Sequence, residues 1–405
     1  MKKIYITLLL SLSFLSQTVK AQILQEVIEY SKKNNYQLQI LQEESEILSR
    51  ESDIASTWDD PILKAGINDV QAQKPFSRTQ EAMQNQFVAV SQKIPLSNHL
   101  KISSAIAQQK REVIEEQKDI LFVNIAFGVR KSFIDATNSQ KTLDILDEYI
   151  EFLKHPLELI INLSAIEKQT IERYIKTQLL QQSYRLQREN ALQRIKIAKE
   201  NIELIGNFQI ESFSDEVELK DYHLQPFDRL LTQLIEQSPE LKRVLSQREV
   251  ATHGVALASA QEQADITVTT GFYQRFDKND YLSFSISYPL FIRNKQSNRK
   301  AQAMRRVNIQ EITYKKIKTQ LAQGLKITLH QLQAHHQELE ILEQNAQKIE
   351  QLINNAKLEL AGGGSLLHYY ELFTQKVNNQ LAINKKHLAI ALDENQIDQL
   401  LGVTQ

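Results

Sequence analysis

The stretch that decides the fold is "LSFSISYPLFIRN", Leu282–Asn294. Apolar and polar residues alternate along it as far as Pro289, and a basic segment with a helical pattern follows. Such period-two alternation indicates a β-strand with one apolar face and one polar face. A related stretch, "FVAVSQKIPLSNH" (Phe87–His99), carries the same junction at Pro95. The chain therefore contains a strand–proline–helix junction twice.

The same alternation predicts four strands in two hairpins, with the last strand covering Leu282–Ile292. The predicted apolar positions are Leu63, Ala65 and Ile67 in the first strand, Val88, Val90, Ile94 and Leu96 in the second, Ile266, Val268, Phe272 and Phe276 in the third, and Leu282, Phe284, Ile286, Tyr288, Leu290 and Ile292 in the last. A sheet of this kind could pack on helices in a soluble protein, or it could face lipid on one side and a wet lumen on the other. The neighbouring helical patterns favour the second interpretation, because a helix of roughly 55 residues is about 80 Å long and exceeds what a small sheet can cover. Closed membrane barrels start at about eight strands, so several copies would have to pool their strands.

The composition favours long uninterrupted helices. The chain has 10 glycines and 7 prolines in 405 residues, about a third of the usual share of roughly 12%. Its 48 basic and 49 acidic residues nearly cancel, which gives no sign of a nucleic-acid surface. It contains no cysteine, and this excludes disulfides, thiolate metal sites and a cysteine nucleophile.

The N-terminus indicates export. Lys2 and Lys3 precede an apolar run, Ile4–Leu15, and small residues at the −3 and −1 positions predict cleavage after Ala21. The run is shorter than the ~20 residues of a spanning helix. Residues 1–21 are therefore predicted to be a signal peptide. No later segment has 18 consecutive apolar residues, so the mature chain could enter a membrane only as strands.

The chain repeats its own plan. Each half has the order helix, hairpin, long helix, turn, helix, which indicates an internal duplication. The predicted domains are residues 22–206 and 227–405, joined by a linker at 207–226. The predicted helices are Ile23–Trp58 with a break at Asn34–Asn35, Leu100–Leu153, Glu158–Ile205, Phe227–Gln263, Lys295–Leu360 and Leu366–Leu401. The fold class is thus mainly α with a small β part.

The long helices carry coiled-coil seams. One seam runs through Leu332, Leu339, Leu342, Ala346, Ile349, Ile353, Ala356 and Leu360, in steps suited to knobs-into-holes packing. Gln, Glu, Lys and Asn dominate the other faces, as expected of helices that meet water.

No catalytic motif accompanies this plan, so the chain is not expected to be an enzyme. Nucleotide-loop, HExxH and GxSxG patterns are missing from the sequence. "AGGGS" (Ala361–Ser365) follows no strand and precedes no Lys-Ser/Thr pair, so it is interpreted as a turn between helices. His335 and His336 are adjacent on a helix and point about 100° apart, which prevents them from sharing one ion readily. His335 also falls on the seam, so a packed histidine is predicted, with no metal ligand and no cofactor.

The order of these features resembles the TolC family of outer-membrane efflux proteins. The resemblance is carried by the signal peptide, the duplicated plan, the junctions "SQKIPL" and "SISYPLFIRNKQSNRKAQA", and the turn "LELAGGGSLLHYYELFTQKV". It extends over the whole mature chain, and "YPLFIRNK" is most similar to the heavy-metal efflux (CzcC-like) branch.

The resemblance implies a homotrimer in the outer membrane. Each protomer would give four strands to one membrane β-barrel of twelve strands, and the long helices would form a coiled-coil helical barrel extending into the periplasm. The implied function is the passive exit duct of a tripartite efflux pump for metal ions or small organic compounds. Its partners would be a periplasmic adaptor (membrane fusion) protein, an inner-membrane transporter and outer-membrane lipid, with no nucleic acid. The alternative is a periplasmic coiled-coil adaptor or scaffold, but adaptors usually carry one hairpin between small β-domains instead of two equivalent halves.

Three groups of residues follow as candidate sites. The resemblance implies an adaptor-docking periplasmic tip at Gly362, Gly363, Gly364, Ser365 and Leu366. The alternation predicts lipid-facing side chains at Val88, Val90, Leu282, Phe284 and Ile286. Pro95 and Pro289 would mark the exits from the barrel, because proline ends the ladder by removing a hydrogen-bond donor and fixes φ for the turn.

Overall fold

The computed structural model describes residues 24–155, 168–213, 217, 220–361 and 365–404. The predicted signal peptide, residues 1–21, lies outside this part, and so do the three glycines Gly362–Gly364 of the predicted tip. The described residues are mainly helical and contain one small sheet. The fold class predicted from the sequence, mainly α with four strands in each chain, is confirmed.

The helices are few and long, as the scarcity of glycine and proline predicts. Two long helices follow the first and second hairpins, and their lengths are 54 and 67 residues. The helices are α1 (24–34), α2 (Tyr36–Ser56), α3 (His99–Phe152), α4 (Lys168–Gly206), α5 (Phe227–Gln237), α6 (Pro239–Ala260), α7 (Lys295–Ala361) and α8 (Leu366–Leu401). The break predicted at Asn34–Asn35 is confirmed at Asn35. Its side-chain Oδ1 accepts hydrogen bonds from the backbone N–H groups of Gln37 and Leu38, at 2.9 and 3.1 Å, which makes it the N-cap of α2.

The single helix predicted over Phe227–Gln263 is wrong, because the chain forms two helices there. α5 ends at Gln237, and Ser238 has a non-helical ψ of 118°. Pro239 is the first residue of α6, a position where its missing N–H costs nothing and its fixed φ suits the helix. The residue before a proline is disfavoured in helical conformation. The break therefore follows from Pro239 alone. The sequence predicts one helix because the apolar spacing on both sides of this proline is helical.

The sheet is fully antiparallel, with strands in the order β1 (Ile62–Asn68), β2 (Asn85–Ile94), β3 (Ile266–Gln274) and β4 (Tyr281–Ser287). β1 and β2 form one hairpin, and β3 and β4 form the other. The central ladder pairs β2 with β3, so it joins one strand from each half of the chain.

The last strand is shorter than predicted. β4 ends at Ser287 instead of Ile292, so the predicted apolar positions Tyr288, Leu290 and Ile292 are not part of the sheet. Ser287 pairs with Thr267, next to the first residue of β3, and the partner strand therefore ends at the same level. Pro289 has no N–H to donate. Alternation alone cannot detect either limit, because both depend on the neighbouring strand and on one missing donor.

The chain forms two compact units. The first consists of the described parts of Met1–Ile40, Lys118–Pro239 and Lys318–Gln405, and the second of Leu41–Gln117 and Glu240–Ile317. Each unit combines segments from both halves of the chain. The repeat boundaries predicted at 22–206 and 227–405 stay a prediction about the origin of the sequence.

Apolar seams form the core of the first unit. Leu332, Ile353 and Ala356 of α7 are at most 4% exposed, which agrees with the predicted coiled-coil seam. A second cluster surrounds Tyr149 of α3, whose hydroxyl hydrogen-bonds to that of Thr374 at 2.5 Å. Among the described helices, none is both long enough and apolar enough to cross a membrane.

The end of α8 depends on one glycine. Gly402 has φ +76° and closes the helix by donating its N–H to the carbonyls of Asp398 and Gln399. A Cβ at this position would lie 2.9 Å from Cδ of Pro239. Gly254 of α6 offers the opposite case, because nothing lies within 4 Å of a Cβ built there.

We expect Gly402→Ala to destabilise the protein by about 1–2 kcal/mol, because the left-handed conformation is strained for alanine. Gly254→Ala should stabilise it by about 0.5–1 kcal/mol through the lower entropy of the unfolded chain. Denaturant unfolding of the two purified variants measures both effects. An unchanged stability for Gly402→Ala would contradict the role given to this cap.

Candidate functional site

One face of the sheet is apolar and exposed. The register aligns Val88 with Phe272 and Phe272 with Leu282, so these three side chains form a row across β2, β3 and β4. Phe284 and Ile286 of β4 are 75% and 71% exposed. All five residues predicted to face lipid lie within strands, and their positions in the register put them on this one face. We call it the apolar face.

The opposite face is polar. Ser91, Thr269 and Ser285 are aligned across β2, β3 and β4, and the hydroxyls of Ser91 and Thr269 are 2.8 Å apart. Serines at alternate positions of β4, Ser283 and Ser287, continue this face. These rows separate apolar from polar side chains as the alternation predicts, while the stacked rings of Phe87, Tyr273 and Tyr281 form an aromatic row at one end of the polar face.

The sheet has two open edges. β1 pairs only with β2, and β4 pairs only with β3, among the residues the structure describes. An edge strand presents unpaired N–H and C=O groups that can pair with another strand. The sheet can therefore be extended on both sides.

Charged side chains gather where β2 ends. Pro95 directly follows the last residue of β2, and Lys93 lies 3.1 Å from Asp59 and 3.3 Å from Asp265, measured from Nζ to the carboxylate oxygens. The ring nitrogen Nε2 of His99, the first residue of α3, is 3.6 Å from the same Asp265. This end of the sheet therefore carries charge, whereas the apolar face carries none in its aligned rows. Pro289, the second predicted exit, lies two residues after β4.

The tip predicted at Gly362–Leu366 is described only in part. Ser365 is the N-cap of α8, since its hydroxyl accepts a hydrogen bond from the N–H of His368 at 3.4 Å. Leu366 is exposed. α7 ends at Ala361 and α8 begins at Leu366. The turn predicted at "AGGGS" lies mostly outside the described residues and stays a prediction.

The predicted linker is anchored by a buried ion pair. Tyr222 is 2% exposed and donates its hydroxyl proton to Asp398 of α8. Nη1 of Arg130, on α3, lies 3.4 Å from the other oxygen of Asp398. Burial raises the pKa of Asp398 and lowers that of Arg130, so desolvation outweighs the mutual attraction in both cases. The linker thus contributes to the packed interior of the first unit.

Two histidines next to this anchor take different partners. Nδ1 of His335 lies 2.8 Å from Oδ2 of Asp393, in keeping with its predicted place on the seam. His336 instead faces the linker, where its ring centroid is 4.3 Å from that of His223. One donor atom from each of Asp221, His223 and His336 forms a group within 4.8 Å.

The sequence analysis missed this linker group. It correctly separates His335 from His336, but it assigns no role to Asp221 or His223, which lie more than a hundred positions from His336. Only the spacing of Asp221 and His223 in "DYH" was a local signal. Nearby, burial and the charges of Asp221, Asp398 and Asp393 raise the pKa of Glu394 to about 7, so carboxylates crowd this end of α8.

The buried anchor gives a test with a matched control. Arg130→Met would leave the buried Asp398 without its cation, and we expect a loss of about 3 kcal/mol or more. Arg188 forms the exposed counterpart, with Nε 2.5 Å from Asp147, and Arg188→Met should cost far less, because solvent screens exposed ion pairs. Denaturant unfolding compares the two. Equal losses would show that the buried pair does not hold the linker.

Solved structures share this fold. The chain is similar to the CmeC outer membrane channel of Campylobacter jejuni, with a TM-score of 0.73 and 14% identity over 94% of this chain and 85% of that one. It is similar to the outer membrane protein VceC of Vibrio cholerae, with a TM-score of 0.73 and 15% identity over 94% and 97% of the two chains. The open state of the MtrE outer membrane channel of Neisseria gonorrhoeae gives a TM-score of 0.73 and 15% identity over 94% and 89%. Comparison with protein-family models and with curated sequences finds no match. The chain therefore has the fold of these outer membrane channels.

Proposed function

We propose that the chain is a subunit of a TolC-family outer-membrane channel. It would be the passive exit duct of a tripartite efflux pump, carrying metal ions or small organic compounds from the periplasm to the exterior. The observation that carries this proposal is the four-stranded sheet, with its exposed apolar face and its two open edges. The likeness in fold to outer membrane channels supports it.

The apolar face needs an apolar neighbour. Leu282, Phe284 and Ile286 are each at least 65% exposed in one chain, and removing each such side chain from water is worth about 1.5–3 kcal/mol. Lipid supplies that neighbour without a further protein element. The serine and threonine hydroxyls of the opposite face would then meet a water-filled lumen, as in membrane barrels.

The open edges need strands from other copies. Backbone groups left unpaired in lipid cost several kcal/mol each. If β4 of one copy pairs with β1 of the next, no edge remains. Three copies would supply twelve strands, above the minimum of about eight, and the homotrimer is the assembly that the family resemblance implies.

Exposed apolar side chains on the helices also fit self-association. Ile47 and Ile54 of α2 are seven residues apart and are 64% and 71% exposed. This is the spacing of one heptad position. Copies that pack along such seams would enclose a tunnel with polar walls. Movement through a tunnel requires no bond chemistry, so the energy would come from an inner-membrane transporter, connected by a periplasmic adaptor.

Fractionation and mass analysis test the proposal directly. We expect the protein in the outer membrane, extracted only by detergent, as a trimer in native mass spectrometry. A soluble monomer in the periplasm would refute the channel. A susceptibility panel on a deletion strain then identifies the cargo and tests the heavy-metal branch, which "YPLFIRNK" alone supports.

The two faces of β4 predict opposite outcomes for one charge. Phe284→Asp should hinder assembly, because a charge near the lipid midplane costs up to about 2–4 kcal/mol, and less for Asp than for Lys or Arg. Ser285→Asp, one residue later on the polar face, should assemble and alter conductance at most. Heat-resistant trimer on gels measures assembly. Equal effects at the two positions would contradict the assignment of the faces.

The glycine turn predicts a separation of efflux from assembly. Gly363→Val should abolish efflux while the trimer still forms, because bulk at the tip would obstruct adaptor docking. Gly254→Val is the matched control, since it adds the same bulk at a helical glycine outside the tip, where nothing lies within 4 Å of a built Cβ, and it should retain efflux. Dye accumulation in cells reports efflux. Normal efflux by the Gly363→Val variant would contradict the hypothesis that this turn docks the adaptor.

Crosslinking tests which end meets the adaptor. A photo-crosslinker at Ser365 should capture the adaptor, whereas one at Asn279 should not. Asn279 lies in the β3–β4 turn, where its carbonyl accepts hydrogen bonds from Arg275. Labelling of Ser365 by an impermeant reagent outside the cell would show that the topology is inverted.

A further inference from the structure

The linker group offers two imidazoles and a carboxylate at one point. Asp221 and His223 come from the turn before α5, and His336 comes from α7. Their donor atoms lie within 4.8 Å of one another. In a tetrahedral site with metal–ligand bonds of about 2.0–2.1 Å, neighbouring donor atoms are about 3.3 Å apart. Small side-chain rotations therefore suffice, and Asp221 and His223 are exposed enough to make them.

His336 has an unsatisfied ring nitrogen. Its Nε2 atom is buried and has no hydrogen-bond partner among the described residues. A buried polar atom without a partner is unfavourable and calls for an explanation. His223 and Asp221 belong to the same group as His336, so a cation bound between the three side chains would pair this nitrogen.

The carboxylate is already oriented by a separate contact. Oδ1 of Asp221 accepts a hydrogen bond from the backbone N–H of His223 at 2.9 Å. This leaves the other carboxylate oxygen for a ligand, and it resembles the outer-shell bonds that orient ligands in metal sites. On α7, the bond from His335 to Asp393 fixes the helix to α8 at the same level. His336 on α7 would thus be the fixed ligand of the site. Asp221 and His223 in the linker would move slightly to complete the coordination.

We propose that Asp221, His223 and His336 form a binding site for a divalent first-row transition metal of the Zn²⁺ class. Imidazole nitrogen suits Zn²⁺, Cu²⁺ and Ni²⁺, whereas Mg²⁺ and Ca²⁺ prefer oxygen ligands alone. Three protein ligands leave a position for water, so the ion would exchange with solvent. The site goes beyond the channel function, and it would tie the linker to α7 when the metal is bound.

Zinc binding to the full-length protein tests the site. The detergent-purified protein, stripped with chelator, is titrated with Zn²⁺ by calorimetry, and Co²⁺ is used as a second probe for its visible ligand-field bands. We expect one equivalent of Zn²⁺ per chain and a rise in melting temperature with added zinc, because a ligand that binds the folded state stabilises it.

Variants separate the site from incidental histidines. His336→Gln and His223→Gln should each weaken Zn²⁺ binding by at least about tenfold, since even outer-shell changes weaken metal sites 10–100-fold. They should also remove the zinc-dependent rise in melting temperature. His330→Gln, on an exposed position of the same helix, is the matched control and should bind like the unaltered protein.

Two outcomes would overturn the proposal. One is the absence of stoichiometric Zn²⁺ binding, and the other is equal binding by the unaltered protein and the His223→Gln His336→Gln double variant. Should His336→Gln fail to fold, His223→Gln decides the question alone, because His223 is exposed in the linker. Trimer assembly is measured separately, so loss of the metal site and failure of the channel proposal are distinguishable.

Discussion

The ladder between β2 and β3 is the constraint on which the sheet depends. It pairs nine residues of each strand, from Gln86 with Gln274 to Ile94 with Ile266, and it is the place where the two halves of the chain meet in the sheet. Because side chains alternate with a period of two, this single register decides which residues share a face. A slip of one residue would put the serines of β4 and the valines of β2 on the same side. The separation of apolar and polar faces therefore rests on backbone pairing.

The features that sequence analysis predicts well are those that local physics determines. Alternation finds all four strands, and the seam of α7 is found because heptad spacing is a property of neighbouring turns. Errors occur where the end of an element depends on a neighbouring strand or on a single proline. β4 ends at Ser287 because β3 begins almost opposite it, at Ile266, and Pro289 lacks a donor. The break at Ser238 comes from one proline within an otherwise helical pattern.

The linker illustrates the limit of local patterns more strongly. Residues 207–226 read as a polar, turn-rich spacer, yet Tyr222 is buried against Asp398 and Arg130 from two distant helices. The sequence does not single out Tyr222, Asp398 or Arg130. A single aromatic residue among polar ones does not indicate which distant residues it will pack against. Asp221 and His223 are brought to His336 by the same packing. The linker group is thus a consequence of the anchor, and only the spacing of Asp221 and His223 in "DYH" is visible in the sequence.

The sheet and the linker anchor depend on different types of residue. The sheet uses apolar side chains and backbone hydrogen bonds, which are repetitive, and repetition is visible as a pattern. The linker anchor uses a few buried polar groups, whose partners are specific and whose charges are opposed by burial. Burying such groups brings little net stability, since desolvation outweighs attraction for both Arg130 and Asp398. What they provide is a defined position for the linker, because the Tyr222 hydroxyl and Nη1 of Arg130 contact the two oxygens of the same carboxylate. That defined position keeps Asp221 and His223 beside the buried nitrogen of His336 that has no hydrogen-bond partner. Without the linker, this part of α7 would contribute only to helix packing.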